Sequence, residues 1–456
     1  MGKNPKIYTP PPDKSITHRA LMIAAIADGT TRVFNPSICE DTLATAACLK
    51  KLGTRIKFSK NGLKIKGLGL KGLKKPAGPL NAGQSGTAMR LMAGLLAGQD
   101  FDSVLTGRGS LLKRPMARVT EPLSAMGARV SSAGGRPPLK ISGAPLTGTG
   151  LKLSVPSAQV KSAALLAGLY AWGRTSVTER FKTRDHTERM LKHLGAKIKT
   201  SGLKTVLEPG PLKAGRIQVP GDISSAAPFI AAALLSGRPL LIKNVGLNPA
   251  RLGLLRTLQK MGARLKIKVK RTRPEPVGEI RVFPAKLKGV KIVPDEIPSM
   301  IDELALLALL AASAEGKTVI RGVAELRHKE SDRIKTTLAL LERLGVKAAF
   351  KTDSLTITGP QKIRGGKPIE TFNDHRIAMA AAVGSLLAAH PVKIKNAGCV
   401  KKSYPAFFTD FKKVFSSASV RLKNGRRRQK FKICVHVHSE NSPSPILSPR
   451  RGERGG

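Results

Sequence analysis

Lysine and arginine side chains stand in short polar stretches that each lead directly into an alanine-rich, apolar stretch. Lys14, Arg19, Arg90 and Arg376 are examples. Capping a helix requires only a Ser or Asp oxygen, so capping does not explain these cations. A helix start already carries a partial positive charge and free N–H groups, and added cations favour the binding of an anion there. These residue types therefore predict chemistry on small, negatively charged substrates.

The polar stretches recur six times at a nearly constant interval. The segment behind each one is apolar nearly all round, which predicts a helix buried in the centre of a domain. If three helix starts from each of two lobes face a shared cleft, that cleft would bind anions. The spacings of 70, 72, 67, 78 and 72 residues separate six residues of the N-cap type, namely Ser15, Ser85, Ser157, Ser224, Asp302 and Asp374.

A second repeat marks the end of another helix in each unit. An apolar residue is followed by Gly and then by alternating apolar and basic residues, as in LKKLGTRIKF. Glycine takes the left-handed conformation after a helix without steric cost, and the alternation predicts a strand. A degenerate sixth copy is placed at residues 411–422. The glycines are Gly53, Gly127, Gly195, Gly262 and Gly345.

Composition narrows the class of protein. The 456 residues are enough for two or three domains, and the sequence contains neither a long uncharged apolar run nor an apolar start, so we expect a cytoplasmic protein without a membrane span. The formal net charge of +51 invites a nucleic-acid function, but aromatic residues make up only 4% of the chain. The four cysteines lack the CxxC spacing of metal sites, so we expect reduced thiols.

Seven motifs, in chain order, resemble the signature segments of the 3-phosphoshikimate 1-carboxyvinyltransferase family, the enolpyruvyl transferases of the shikimate pathway. They are PPDKSITHRA, GQSGTAMR, TGRGSLLKRPM, PSAQVKSA, RHKESDR, NDHR and KKSYPAFF. The resemblance implies an α/β fold, a two-domain inside-out α/β barrel of six βαβαββ repeats, three per domain, with buried helices. The expected domains are residues 1–13 plus 228–418 and residues 14–227. The composition of residues 419–456 predicts a basic disordered tail.

The resemblance also implies a reaction and its residues. The enolpyruvyl group of phosphoenolpyruvate is transferred to shikimate 3-phosphate by addition and elimination, and phosphate is released. Asp302 is expected to take the hydroxyl proton, Glu330 to protonate the methylene carbon, and Lys14 to bridge both substrates. The expected phosphoenolpyruvate site is Lys14, Gly86, Arg114, Gln159, Arg333, Arg376 and Lys402. The expected shikimate 3-phosphate site is Lys14, Ser15, Arg19, Ser157, Ala158, Gln159, Arg184, Asp302 and Lys329.

Two other functions compete with this interpretation. The sister enzyme that uses UDP-N-acetylglucosamine would be expected to carry a reactive cysteine near Arg114, and the run SLLKRPMARV contains none. A basic nucleic-acid-binding protein would explain the charge but not the ordered motifs. The resemblance implies no metal and no organic cofactor, because an acid, a base and fixed cations suffice. The expected partners are the small anionic substrates, with no specific nucleic acid and no membrane, and the expected state is a monomer.

Overall fold

The computed structural model describes residues 4–415 and the backbone of residues 433–435. Alanine and leucine, which favour helix, dominate the six apolar segments, and each segment forms one helix. The helices are α1 Lys14–Ala25, α2 Glu40–Lys51, α3 Gly86–Ala97, α4 Ala117–Ala125, α5 Ala158–Gly168, α6 His186–His193, α7 Ile223–Leu235, α8 Gly253–Lys260, α9 Leu304–Ser313, α10 Arg333–Arg343, α11 His375–Ser385 and α12 Phe407–Phe415.

The strands are short, and their side chains alternate between the core and the solvent. In Gly62–Leu68, Leu63 and Ile65 are buried whereas Lys64 and Lys66 are exposed. The strands are β1 Lys6–Tyr8, β2 Ala27–Phe34, β3 Arg55–Ser59, β4 Gly62–Leu68, β5 Leu80–Asn81, β6 Ser103–Thr106, β7 Arg129–Ala133, β8 Arg136–Ser142, β9 Gly150–Lys152, β10 Thr175–Thr178, β11 Ile198–Ser201, β12 Lys204–Leu207, β13 Leu212–Lys213, β14 Arg216–Gln218, β15 Leu240–Gly246, β16 Arg264–Arg271, β17 Val277–Phe283, β18 Lys291–Ile292, β19 Gly316–Arg321, β20 Ala349–Lys351, β21 Ser354–Gly359, β22 Ile369–Glu370, β23 Val392–Lys395 and β24 Ile433–Val435.

Five of the six sheets in the described chain share one arrangement. A short strand pairs in parallel with a central strand, and a hairpin adds two antiparallel strands on the other side. The orders are β5-β6-β8-β7, β9-β10-β12-β11, β18-β19-β21-β20, β1-β15-β17-β16 and β13-β2-β4-β3, with β14 also on β2. In three of these units a helix connects the short strand to the central strand, and in the other two the short strand comes from elsewhere in the chain. The predicted βαβαββ unit is therefore present.

Two units exchange their first strands. β1 pairs in parallel with β15, far along the chain, whereas β13 and β14 pair in parallel with β2 of the first unit. The chain consequently crosses twice between the two halves of the molecule. The two crossing segments pair with each other at Pro12 and Gly221.

Two separate apolar cores divide the described chain into lobes. The core of lobe A runs from Ile16 to Val219, and the core of lobe B contains Tyr8 together with residues from Ile223 to Phe415. The sequence-based boundary between residues 227 and 228 falls inside α7, which packs in lobe B along its whole length. Because a helix packs as one rigid element, the lobes change at 219–223 and not at 227.

The six predicted central helices are buried. In α9 every residue from Leu304 to Ala312 is buried, and α1, α3, α5, α7 and α11 are similarly enclosed. The helices α3 and α5 approach so closely that a Cβ atom on Gly94 would lie 2.1 Å from the carbonyl oxygen of Ala163. The strands wrap around these helices, as the sequence predicted.

The predicted glycine ends of the second helix in each unit are confirmed. Each glycine directly follows the C-cap residue and has a left-handed φ, between 78° and 96°. The helices that they end are α2, α4, α6, α8 and α10, and the glycines are Gly53, Gly127, Gly195, Gly262 and Gly345.

The predicted N-cap residues are right in three units and wrong in three. Ser85, Ser157 and Asp374 cap α3, α5 and α11 through their side chains. In the other three units the cap lies elsewhere: Asp13 and not Ser15 caps α1, Asp222 and not Ser224 caps α7, and Glu303 and not Asp302 precedes α9. In the first two units an aspartate lies two residues earlier and accepts the helix N–H groups itself. In the third, the Asp302 carboxylate instead pairs with arginines in the cleft.

The sixth unit departs from the repeat. Its sheet has the order β22-β23-β24, and after β23 comes α12 without a following hairpin in the described residues. The side of β23 that a hairpin strand occupies in the other units is taken by the parallel strand β24. Of the predicted tail at 419–456 the structure describes only β24, and the rest of that prediction lies outside the described residues.

Candidate active site

A cleft between the lobes is lined by the starts of all six central helices. Lobe A contributes residues from the starts of α1, α3 and α5, and lobe B contributes residues at or before the starts of α7, α9 and α11. The empty space among the lining residues is about 1010 Å³, a volume that includes open solvent. In the described part of the chain, nine lysine or arginine side chains line the cleft, namely Lys14, Arg90, Arg114, Arg118, Arg184, Arg251, Lys329, Arg333 and Arg376. The shared cleft between helix starts that the repeats predicted is therefore formed, and cations line it.

Most of the predicted site residues lie in this cleft. They are Lys14, Ser15, Arg114, Ser157, Ala158, Gln159, Arg184, Asp302, Lys329, Glu330, Arg333 and Arg376. Three predicted residues do not line it. Arg19 lies beneath the start of α1 and donates to the Ser15 carbonyl at 2.9 Å, and Lys402 donates to the Asn373 carbonyl at 2.8 Å. Gly86 opens α3 behind Arg114, whose Nη1 would be 2.6 Å from a Cβ atom at that position.

Arg333 joins the two carboxylates that were predicted to be catalytic. Its Nη1 lies 3.1 Å from Asp302 Oδ1, and its Nη2 lies 2.5 Å from Glu330 Oε2. The Nε of the same guanidinium donates to Asp374 at 2.8 Å, which fixes the orientation of the arginine. The planar fork of arginine suits such a shared arrangement. Asp302 and Glu330 are consequently held side by side although they lie 28 residues apart in the chain.

Each of the two carboxylates also reaches an arginine of lobe A. Arg184 Nη2 lies 2.5 Å from Asp302 Oδ2, and Arg114 Nη2 lies 3.1 Å from Glu330 Oε1. A third pair, Arg118 with Glu325, also connects the lobes. Among the described residues, these three ion pairs cross the cleft.

The surrounding arginines keep both carboxylates ionised. Burial by itself would raise the pKa of Asp302, but Arg184, Arg376 and Arg333 outweigh burial and hold that pKa well below its usual range. Burial likewise acts to raise the pKa of Glu330, and Arg333 and Arg114 hold it well below its usual range. Glu330 therefore carries no proton at neutral pH in this arrangement.

Lys14 stays a cation at the centre of the cleft. Burial would lower its pKa, but the Asp41 carboxylate, 2.8 Å from Nζ, raises the pKa above its ordinary value. Burial lowers the pKa of Lys329, on the opposite wall. Lys14 is thus a fixed positive charge.

Several lining residues are absent from the two substrate sets that the family resemblance implied, although the sequence already indicated Arg90 as a cation at a helix start. Arg90 Nη1 donates to Gln159 Oε1 at 2.6 Å, and Gln159 Nε2 donates to Thr87 at 2.8 Å, so the starts of α3 and α5 are tied together. Burial, and then repulsion by Arg114, lower the pKa of Arg90 to about 9. His375 is buried, and neither of its ring nitrogens forms a hydrogen bond within the described chain. Arg90 lies in the motif GQSGTAMR, and His375 lies in the motif NDHR. Their place inside these motifs was the feature of the sequence that could have indicated a role in the site.

A buried arginine of the cleft lining joins the two crossing segments. Arg251 donates from Nη1 to Asp13 and from Nη2 to Asp222, each at 2.9 Å. Burial would raise the pKa of Asp13, but Arg251 and His186 lower it to about 2. The backbone N–H groups of Asp13 and Asp222 also donate across the crossing, to Pro220 and Pro11. The two crossing segments are therefore held together by backbone hydrogen bonds and by the side chain of Arg251.

Comparison with known proteins identifies the family. The family model described as EPSP synthase (3-phosphoshikimate 1-carboxyvinyltransferase) matches residues 5–411. The chain belongs to the EPSP synthase family. The 3-phosphoshikimate 1-carboxyvinyltransferase of Coxiella burnetii strain CbuK_Q154 is 47% identical over 403 residues, which cover 87% of this chain and 92% of the relative. The Bacillus subtilis strain 168 enzyme of the same name is 45% identical over 409 residues, or 89% of this chain and 96% of that one.

Solved structures agree with the EPSP synthase assignment. An EPSP synthase from Acinetobacter baumannii has a TM-score of 0.79 at 42% identity, with 92% of this chain and 97% of that chain covered. The enolpyruvyl transferase NikO from Streptomyces tendae has a TM-score of 0.72 at 19% identity, with 91% and 96% covered, and shares the fold. The predicted two-domain enolpyruvyl transferase fold is confirmed.

The described residues were also compared with the requirements of a metal site and of a membrane-spanning helix. Within the described residues, clusters of three or more His, Cys, Asp or Glu side chains that could hold a metal ion do not occur. In that same part of the chain, every helix is too short or too polar to cross a membrane.

Proposed function

We propose that this EPSP synthase family member transfers the 1-carboxyvinyl group of phosphoenolpyruvate to shikimate 3-phosphate and releases inorganic phosphate. The reaction belongs to the shikimate pathway of aromatic amino acid biosynthesis. The observation that supports this function is the pair of carboxylates, Asp302 and Glu330, that share Arg333 in a cleft lined by cations of both lobes. Each substrate carries a carboxylate and a phosphate, so a site that holds both must balance several negative charges.

The first step adds the acceptor hydroxyl to phosphoenolpyruvate. The hydroxyl oxygen bonds to the central carbon, its proton passes to Asp302, and the methylene carbon takes a proton from Glu330. In the second step the C–O bond to phosphate breaks and the leaving phosphate takes up the proton held by Asp302. The methyl group returns a proton to Glu330, which restores the double bond. Asp302 is ionised, as a base must be, because Arg184, Arg376 and Arg333 oppose its protonation.

Glu330 needs a proton before it can act as the acid. Its pKa is low because Arg333 and Arg114 lie 2.5 and 3.1 Å away. When the anionic groups of phosphoenolpyruvate approach these arginines, they compensate the positive charges and add a negative field, and both effects raise the pKa of Glu330. Binding of phosphoenolpyruvate would therefore favour the protonated form of Glu330.

Each substrate is assigned a set of binding residues, and the two sets overlap. For phosphoenolpyruvate we propose Lys14, Gly86, Arg114, Gln159, Arg333, Arg376 and Lys402. For shikimate 3-phosphate we propose Lys14, Ser15, Arg19, Ser157, Ala158, Gln159, Arg184, Asp302 and Lys329. Lys14 belongs to both sets because it is a fixed cation at the start of α1, between the two walls. Arg19 and Lys402 lie just outside the lining and would act from behind Ser15 and the Asn373 loop.

Phosphate release in mixtures of defined substrates tests this function. Purified protein with phosphoenolpyruvate and shikimate 3-phosphate is expected to release one phosphate per product molecule. Replacing shikimate 3-phosphate with UDP-N-acetylglucosamine is expected to give none. Release only with the nucleotide sugar would overturn the choice of acceptor.

The expected monomeric state and cytoplasmic location remain predictions. Sedimentation of the purified protein measures the first, and a mass near the 48.5 kDa of one chain is the expected result.

A further inference from the structure

We propose that Lys161 is a positioning residue whose buried ammonium group fixes residues 179–188 against α5 and thereby places Arg184 and Arg19 for the acceptor substrate. The inference rests on the function proposed above. Lys161 lies two residues after Gln159 in α5, but its side chain is only 2% exposed and does not line the cleft. The reaction steps do not use it.

Lys161 binds two carboxylates at once. Its Nζ lies 2.7 Å from Glu179 Oε2, just after β10, and 2.6 Å from Glu188 Oε1, in α6. Both glutamates are buried and neither lines the cleft. One ammonium group therefore connects three elements of lobe A, namely α5, the segment after β10 and α6.

The first glutamate leads to Arg184. The Thr183 hydroxyl donates to the Glu179 carboxylate, and Thr183 is itself buried. Arg184 is the next residue, and its guanidinium reaches Asp302 at 2.5 Å. The position of Arg184 thus depends on a chain of contacts that begins at Lys161.

The second glutamate leads to Arg19. Thr187, adjacent to Glu188, accepts from Arg19 Nε at 2.7 Å and lies 2.6 Å from the Ser162 hydroxyl. Arg19 Nη2 donates to the same Ser162 hydroxyl at 2.9 Å. Ser162 is the residue after Lys161 in α5. These two neighbouring residues therefore make the contacts of both branches, the one that leads to Arg184 and the one that leads to Arg19.

This cluster has a role in positioning that its effect on stability does not describe. An intact buried ion pair contributes little net stability, because removing the charges from water costs about as much as their attraction returns, although removal of one partner leaves the other charge unpaired. Its contribution is a fixed geometry, and a displacement of about 1 Å at a binding group can cost a large factor in rate or affinity. Both branches end on residues assigned to shikimate 3-phosphate, and neither ends on one assigned only to phosphoenolpyruvate.

Steady-state kinetics of Lys161→Met test the inference. We expect the KM for shikimate 3-phosphate to rise about tenfold, while the KM for phosphoenolpyruvate changes by less than about twofold. Glu179→Gln, a milder change that keeps the shape of the cluster, is expected to raise the same KM about threefold. Lys199→Met, at an exposed position of β11 in the same unit, is the matched control and is expected to change neither constant.

The outcomes separate the inference from the function. If the unaltered protein does not turn over these substrates, the proposed function fails. Suppose instead that the unaltered protein is active. If Lys161→Met and Glu179→Gln then both fold and show an unchanged KM for shikimate 3-phosphate, the positioning role is wrong. Equal increases in both KM values would also contradict it, since they would indicate general damage to the cleft. If Lys161→Met does not fold, Glu179→Gln decides the outcome by the same criterion.

Discussion

Arg184 of lobe A and Asp302 of lobe B meet across the cleft, with Nη2 and Oδ2 2.5 Å apart. The proposed base is therefore oriented by both lobes, because its other oxygen lies 3.1 Å from Arg333 of its own lobe. Its ionisation and its position depend on how the lobes meet.

Glycine at position 86 leaves room for the guanidinium of Arg114. In Gly86→Ala the new methyl group would lie 2.6 Å from Arg114 Nη1 and 3.1 Å from Arg90 Nη1, so Arg114 must move. We expect the KM for phosphoenolpyruvate to rise about tenfold, which corresponds to about 1.4 kcal/mol. Gly78→Ala, at a glycine whose added Cβ would meet nothing within 4 Å, is the control. An unchanged KM in Gly86→Ala would contradict the proposal that phosphoenolpyruvate binding depends on the present position of the Arg114 guanidinium.

The cleft carboxylates should make stability sensitive to acid. The pKa values of Asp302 and Glu330 lie below their ordinary values of 3.8 and 4.5, so the folded protein binds fewer protons there than the unfolded chain. Their contribution is present above about pH 4.5 and is lost as the pH falls through the lowered values. Urea unfolding at pH 6 and pH 3.5 measures it. The double variant Asp302→Asn with Glu330→Gln should lose less stability over that interval, and an equal loss would contradict the assignment.

Arg251 should stabilise the connection between the lobes. In Arg251→Met the buried Asp13 and Asp222 lose the guanidinium that lies 2.9 Å from each of them. We expect the free energy of unfolding to fall by about 3–5 kcal/mol, as for one partner removed from a buried pair. Urea unfolding measures this, with Arg55→Met on the exposed face of β3 as the control. If the free energy of unfolding falls no more than in the control, the backbone hydrogen bonds alone stabilise the two crossing segments.

The features that depend on local rules could be predicted from the sequence. Gly345 ends α10 because a left-handed residue is needed there, and α9 is buried because it has no polar face. The N-cap residues were harder, since Asp13 and Ser15 are equally good caps by type. Only the backbone geometry shows that the aspartate accepts from Ile16 N, at 2.8 Å.

The contacts across the cleft could not be predicted from the sequence. Arg118 and Glu325 lie 207 residues apart, and a charge pattern does not indicate which arginine meets which carboxylate. The family motifs indicated Asp302 and Glu330, but not that they share Arg333. The expected boundary between residues 227 and 228 falls inside α7, because the sequence does not show that this whole helix packs in lobe B.

Asp302 and Glu330 are proposed to carry the proton transfers of carboxyvinyl transfer. Phosphate release by Asp302→Asn and Glu330→Gln, measured beside substrate binding by calorimetry, tests both roles. We expect each variant to release phosphate at least about a hundredfold more slowly, whereas the Kd of phosphoenolpyruvate changes only a few-fold. Turnover near that of the unaltered protein in either variant would overturn the proposed role of the altered carboxylate.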